Sequence, residues 1–167
     1  LSSGRFRTRL SLAPAEGYPE LLVPEGEDKG AFPLRTRMPS GELVKALTHV
    51  RYAASNEEYR AIFRGVQLEF SPQGFRAVAS DGYRLALYDL PLPQGFQAKA
   101  VVPARSVDEM VRVLKGADGA EADLALGEGV LALALEGGSG VRMALRLMEG
   151  EFPDYQRVIP QEFALRV

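Results

Sequence analysis

Residues 102–116 read V-P-A-R-S-V-D-E-M-V-R-V-L-K-G, from Val102 to Gly116. A β-branched step runs into Pro103, after which Val107, Val111 and Leu114 recur at helical spacing. Proline's missing N–H costs least where a helix begins, and glycine suits the position just past its end. The pattern therefore predicts a helix opened at Pro103 and stopped by Gly116. It also stands 64 residues earlier, from Pro39 to Pro103: Met38-Pro39-Ser40 leads into Leu43, Leu47 and Val50. One unit is present twice.

Three strand-like stretches follow each helix. Arg60 to Phe70, Phe75 to Ser80 and Tyr83 to Leu90 form the first set. Glu121 to Leu126, Val130 to Glu136 and Val141 to Met148 form the second, with clean alternation at Leu131, Leu133, Leu135 and at Val141, Met143, Leu145, Leu147. Asp81-Gly82 and Gly137-Gly138-Ser139-Gly140 supply the turns between them. The expected architecture is β-α-β-β-β twice, with two helices on one face of antiparallel sheets, an α+β fold.

A longer repeat surrounds this one. Tyr18-Pro19-Glu20 followed by Phe32-Pro33-Leu34-Arg35 is matched by Phe152-Pro153-Asp154 followed by Phe163-Ala164-Leu165-Arg166. Each aromatic-Pro step closes an alternating stretch, Leu10-Ser11-Leu12 and Leu145-Arg146-Leu147. Residues 13–31 have the Pro, Gly and Glu composition of a linker. Residues 1–30 are thus expected to end one domain, 31–158 to form a complete second one, and 159–167 to open a third. The first residue, Leu1, fits a fragment of a longer protein.

Composition is that of an ordinary soluble globular protein, 46% hydrophobic and 25% charged over 167 residues. There is no cysteine, which excludes disulfides and thiolate metal sites and fits an intracellular, cytoplasmic setting. No apolar run approaches a membrane span, and no basic-then-apolar leader opens the chain. A net charge of −2 gives no overall attraction to nucleic acid.

Catalytic chemistry finds little footing. The one histidine, His49, has no nucleophile elbow to serve. The stretch Gly116 to Gly129 holds neither a P-loop nor a dinucleotide fingerprint. Glu57-Glu58 and Glu149-Gly150-Glu151 read as solvated surface charge. No catalytic residue, metal or cofactor is assigned.

Two constellations remain. Lys45, His49 and Arg51 fall away from the apolar stripe of the first helix, and Arg105, Arg112 and Lys115 from that of the second. Cations late in a helix are ordinary solvent-face chemistry. Two repeat-related helices on one sheet face, however, would set these cations side by side toward a phosphate backbone, without sequence readout. The second constellation joins Ser80-Asp81-Gly82-Tyr83-Arg84-Leu85-Ala86 to Glu151 through Pro160. Phe63 falls off the alternation of Ile62, Val66, Leu68 and Phe70, and the exit segment gathers Phe, Pro, Tyr, Val and Ile around Arg157, which suits an apolar docking surface.

These segments resemble the bacterial sliding clamp family, the beta subunits of DNA polymerase III. Ala77 to Ala86, A-V-A-S-D-G-Y-R-L-A, resembles its threonine/serine-D-G-histidine/tyrosine-R-L-A signature. Phe152 to Pro160, F-P-D-Y-Q-R-V-I-P, resembles its F-P-D-Y-x-R-V-[IL]-P exit from the middle domain, and Val102-Pro103-Ala104 fits as well. The resemblance covers the whole chain. It implies a three-domain protomer, each domain a pair of β-α-β-β-β halves, closing head to tail with a second protomer into a ring. The helix cations named above would then face encircled duplex DNA, and the ring would act as a non-catalytic processivity factor of the polymerase holoenzyme.

The resemblance further implies a groove for short apolar peptides of polymerase, clamp loader and repair proteins. Its middle-domain half would be Phe63, Ser80, Gly82, Tyr83, Arg84, Leu85, Pro153, Arg157 and Val158. Tyr83 stands where histidine is common and Phe63 where leucine often sits, which bears on pocket depth. Clamps place paired tyrosines where Ala61 and Ile62 fall, which puts a DNA contact by that loop in question. The competing expectation is a peptide-binding scaffold that no longer encircles DNA.

Overall fold

The computed structural model describes residues 30–117, 119–135 and 140–160, together with 2–3, 5–9, 11, 14 and 16–17. Tyr18-Pro19-Glu20, Phe163 to Arg166, Leu10, Leu12, most of the 13–31 linker and Glu136 through Ser139 lie outside the described residues. Near the start, β1 (Ser2–Ser3) pairs antiparallel with β2 (Phe6–Arg7).

From Leu34 the chain runs β3 (Leu34–Pro39), α1 (Ser40–Arg51), β4 (Gly65–Ser71), β5 (Gly74–Ser80) and β6 (Leu85–Leu90). The order then recurs as β7 (Ala98–Pro103), α2 (Ala104–Lys115), β8 (Glu121–Gly127), β9 (Val130–Leu135) and β10 (Arg142–Arg146). Two antiparallel four-stranded sheets result, ordered β6-β5-β4-β7 and β10-β9-β8-β3. The halves exchange their first strands: β3 pairs with β8, Leu34 opposite Leu126, and β7 pairs with β4, Ala98 opposite Phe70. Pro39 and Pro103 each close an edge strand, where an absent N–H removes least from the ladder. The sheets meet where Met148 N–H donates to the Val101 carbonyl at 2.8 Å. On the other side, Thr36 Oγ1 hydrogen-bonds Oε1 of the buried Gln94 in the β6–β7 connection.

The helices lie antiparallel. Arg51 Nε at the end of α1 donates to the Ala104 carbonyl at the start of α2, 3.0 Å, and Ser40 N–H at the start of α1 donates to Ala120 O beyond α2, 2.9 Å. Leu43, Ala46, Leu47 and Val50 of α1 enter one core with Val107, Met110 and Leu114 of α2. Val66, Leu68 and Phe70 of β4 and Leu124, Leu131 and Leu133 of β8 and β9 complete it.

Local readings shift in several places. The buried stripe of α2 runs Val107, Met110, Leu114, and Val111 is only half-buried. Gly116 follows α2 in a right-handed conformation, φ −75°, and Gly119 takes the left-handed one, φ +76°. Residues 61–64 form a 3₁₀ turn, so Phe63 owes its direction to that turn and not to strand alternation. β4 begins at Gly65, where an added Cβ would lie 2.4 Å from Val101 Cγ1 and 2.7 Å from Met148 Sδ. Finally β6 starts at Leu85, leaving a four-residue turn, 81–84, after β5.

The halves differ most between helix and second strand. Residues 52–64 separate α1 from β4, whereas only 116–120 separate α2 from β8. The longer connection carries Tyr59, Arg60, Phe63 and Arg64. Aromatics from outside the repeat cover the remaining sheet faces: Phe32 packs on Ala125 and Ala132, and Tyr155 sits buried beside Glu69 and Arg76.

Candidate functional site

Three segments far apart in sequence converge on one cavity of about 460 Å³. The 3₁₀ turn contributes Phe63, and the β5–β6 turn contributes Ser80, Gly82, Tyr83, Arg84 and Leu85. The exit segment adds Phe152, Pro153, Asp154, Tyr155, Val158, Ile159 and Pro160. Eight of the nine expected groove residues are among these. Arg157 is not: its guanidinium is exposed and paired with Asp154 at 2.8 Å.

Hydrogen bonds shape the β5–β6 turn. Asp81 Oδ1 accepts the backbone N–H groups of Tyr83 and Arg84, both at 3.0 Å, while Oδ2 accepts Arg84 Nε at 3.0 Å. Ser80 Oγ accepts Gly82 N–H at 3.1 Å and donates to the Arg84 carbonyl at 2.8 Å. Gly82 holds φ +88°, a conformation that L side chains resist. These bonds turn Tyr83 outward, 86% exposed, and Val158 across from it is also largely exposed.

The two N–H groups, with help from Arg84, hold the Asp81 carboxyl below the ordinary aspartate range. A lowered folded-state pKa contributes stability above the unfolded value, about 4, and loses it as pH falls through the folded one. Amide signals of Tyr83 and Arg84 are therefore expected to titrate only in acid below pH about 4. Asp81→Asn should remove that titration. A midpoint at or above the ordinary value would contradict this turn geometry.

Two residues outside the expected groove set, Arg60 and Tyr155, build the site from behind. Arg60 Nη1 donates to the Asp81 carbonyl at 3.0 Å, and its guanidinium lies 5.4 Å from the Tyr83 ring and 5.9 Å from the Tyr59 ring. Tyr155 anchors the exit segment: its hydroxyl donates to Glu69 Oε1 at 3.1 Å and accepts from Arg76 Nη1 at 3.2 Å. Burial pushes the Tyr155 phenol up, so it remains a donor at neutral pH. Arg76, held well above its ordinary value by Asp89 and Tyr155, stays charged. No local pattern shows these contacts, because the partners lie 21 and 79–86 positions away. Phe152 packs edge-on against Phe63, ring centroids 6.2 Å apart, and closes the apolar floor. A larger cavity of about 670 Å³ under the same segment is floored in part by the polar Gln67 and Lys99.

The six helix residues expected to face DNA fare unequally. Lys45 pairs with Glu42 at 2.6 Å and Arg112 with Glu109 at 2.7 Å, both within one helix. Arg51 bridges to Asp108 of α2 at 2.8 Å. His49 stacks on Tyr88, ring centroids 5.2 Å apart, with Nδ1 2.7 Å from the Lys45 carbonyl oxygen. Arg105 and Lys115 are exposed and make no ion pair among the described residues. Among the described residues no group of three metal-binding side chains occurs, and no helix is long and apolar enough to cross a membrane.

Comparison with known proteins gives one consistent relation. The family model for the DNA polymerase III beta subunit, central domain, matches residues 37–154. The beta sliding clamp of Haemophilus influenzae is 32% identical over 162 residues, 96% of this chain and 42% of that protein. The DNA polymerase III beta subunit of Thermotoga maritima superposes with a TM-score of 0.80 at 28% identity, covering 97% of this chain and 42% of that one. A Pseudomonas aeruginosa sliding clamp described as bound to griselimycin superposes at 0.78 with 27% identity, over 95% of this chain and 41% of that one. The chain thus spans about 42% of the length of such relatives.

Proposed function

Because the chain belongs to the DNA polymerase III beta subunit family, matching its central domain, we propose that it is the middle part of a processivity clamp. In this reading residues 31–158 are the central domain, 1–30 end the preceding domain with its linker, and 159–167 open the next. The parent protomer pairs with a second to encircle duplex DNA and slides without reading sequence. Lys45, His49, Arg51, Arg105, Arg112 and Lys115 face that DNA, and the cavity around Phe63, Leu85 and Pro153 takes a short apolar peptide. Polymerase, clamp loader and repair proteins would present such peptides. The chain acts as a non-catalytic, cytoplasmic subunit of the polymerase holoenzyme.

The observation that carries the reading is the convergence of three distant segments on one apolar cavity behind an exposed aromatic lip. Topological closure explains how an acidic protein, net charge −2, can work on DNA: a ring need not bind tightly to stay on. A peptide-binding scaffold that has lost encirclement is the second reading. It draws on the local pairing of Lys45, Arg51 and Arg112, three of the five lysine and arginine charges in that set.

The test is fluorescence anisotropy of a labelled polymerase-tail peptide on the full-length parent. Pro153→Ala, at the cavity wall, is expected to weaken binding about fivefold, roughly 1 kcal/mol. Arg157→Ala should weaken it less, its charge being shared with Asp154. No binding by the folded parent would overturn the groove. Peptide binding without retention of the parent on nicked circular DNA would favour the scaffold.

A further inference from the structure

Lys99, Glu69, Arg76 and Asp89 stand opposite one another on β7, β4, β5 and β6, so one row of alternating charge crosses the sheet. The row lies on the face away from the helices, since Leu68 and Phe70 on either side of Glu69 enter the core. Its ends are open to solvent, the Lys99 side chain 60% and the Asp89 side chain 57% exposed, whereas the Glu69 side chain is 14% exposed. A carboxylate so enclosed has to be satisfied by its neighbours. Gln67 Nε2 donates to Glu69 Oε1 at 2.6 Å, and Lys99 Nζ stands 3.5 Å from the same oxygen. The Tyr155 hydroxyl lies 3.1 and 3.2 Å from the two carboxylate oxygens. Arg76 Nη1 donates to that hydroxyl from the other side and is itself fixed by Asp89.

The exit segment has few other holds. Among the described residues, no backbone hydrogen bond joins 151–160 to either sheet, and its side-chain hydrogen bonds to the sheets all pass through the Tyr155 hydroxyl. Arg157 pairs inside the segment, with Asp154. Open space flanks the hydroxyl. The cavity of about 670 Å³ lies between Glu151 through Gln156 and strands β4 and β7, and another of about 620 Å³ lies beside Glu69, Arg76 and Gln156. Tyr155 thus stands as a post under a segment that is otherwise held by the apolar contact of Phe152 with Phe63. Apolar contact is non-directional, and a hydrogen bond to a charged group fixes a direction. Pro153 and Val158, on either side of Tyr155, line the groove, and Glu69 does not.

We propose that Glu69 is a positioning residue of the peptide groove, acting through the hydrogen bond that it accepts from the Tyr155 hydroxyl. The proposal rests on the peptide-groove reading above. Arg76 holds the hydroxyl from the opposite side, so the three groups together set the height and direction of the post. Lys99 contributes little, because an exposed ion pair is weak in water.

The full-length parent gives two readouts: hydrogen–deuterium exchange of residues 151–159, and anisotropy of the labelled polymerase-tail peptide. Glu69→Leu and Tyr155→Phe are each expected to speed exchange of that segment and to weaken peptide binding, both about fivefold, the usual worth of one hydrogen bond. Combined, they should do no more than either alone, because both break the same bond. Glu69→Gln keeps an acceptor and should bind peptide within about twofold of the unmutated parent. Lys99→Gln should leave both readouts alone. Additive losses in the double variant, or a loss in Lys99→Gln as large as in Glu69→Leu, would overturn the route through the hydroxyl. Unchanged exchange and affinity in Glu69→Leu would overturn the role of Glu69 and leave the groove intact. Faster exchange in both single variants, coupled in the double, with no peptide bound by the unmutated parent, would keep the clasp and reject the groove reading. Should Glu69→Leu fail to fold, Glu69→Ala takes its place, and unchanged exchange in Tyr155→Phe overturns the proposal by itself.

Discussion

Tyr155→Ala is expected to lower stability by about 3 kcal/mol or more, the usual cost of emptying a buried aromatic site. For a chain of this length that is a fall in melting temperature of roughly 6 °C or more. Tyr155 is 5% exposed, and its ring closes the exit segment onto the outer face of β4 and β5. Its hydroxyl also joins Glu69 to Arg76, which in turn pairs with Asp89. Removing the side chain leaves Glu69 and Arg76 a partner short and frees Phe152 through Pro160, seven of whose nine residues line the groove. Peptide affinity should therefore fall by more than tenfold, beyond what the melting curve alone implies. Tyr155→Phe keeps the ring and loses one donor, at about 1 kcal/mol. Circular dichroism melts and peptide anisotropy on both variants check this. Unchanged melting and binding in Tyr155→Ala would mean that the exit segment is held by something else.

Gly82→Val should cost little stability while weakening peptide binding at least tenfold. At φ +88° a β-branched residue is a severe outlier, and left-handed backbone costs about 1–2 kcal/mol for any side chain with a Cβ. A Cβ here would also stand 2.6 Å from Arg60 Nη1. That guanidinium can swing away cheaply, but in doing so it releases the Asp81 carbonyl and leaves the Tyr83 ring. The turn is exposed, so melting should drop only a few degrees. Peptide affinity should fall at least tenfold, since Ser80, Gly82, Tyr83, Arg84 and Leu85 all move. The double variant with Arg60→Ala removes the crowding but not the strained φ, and should restore little. Full affinity in Gly82→Val would remove the turn from the binding surface.

Much of this molecule is legible in the chain because its signals are local. Apolar spacing of 3–4 marked α1 and α2 correctly, and alternation marked β9 and β10, since each pattern reports only which side of one element meets the core. The 52–64 connection defeated that logic. Its Ile62 mimics the alternation of β4, yet residues 61–64 form a 3₁₀ turn and the strand begins only at Gly65, where an added Cβ would meet Val101 and Met148. The same fact sends Phe63 and Arg64 to two different cavities.

Sequence by itself determined the duplicated β-α-β-β-β order, the two helices opened at Pro39 and Pro103, and the apolar set that enters the core. Those are properties of neighbours a few positions apart, fixed by backbone sterics and hydrophobic period. Tertiary structure decided the exchange of β3 and β7 between halves, the seating of Tyr155 on Glu69 and Arg76, and the pairing of Arg51 with Asp108. Strand exchange and the Tyr155 contacts join groups dozens of residues apart, and which partner wins depends on the closed packing of both sheets. The Arg51–Asp108 pair likewise joins two helices, 57 positions apart, whereas Lys45 and Arg112 meet carboxylates three positions away in their own helices. Charge counted along a helix overstates the field it presents, because the fold chooses which cations already have a carboxylate within reach.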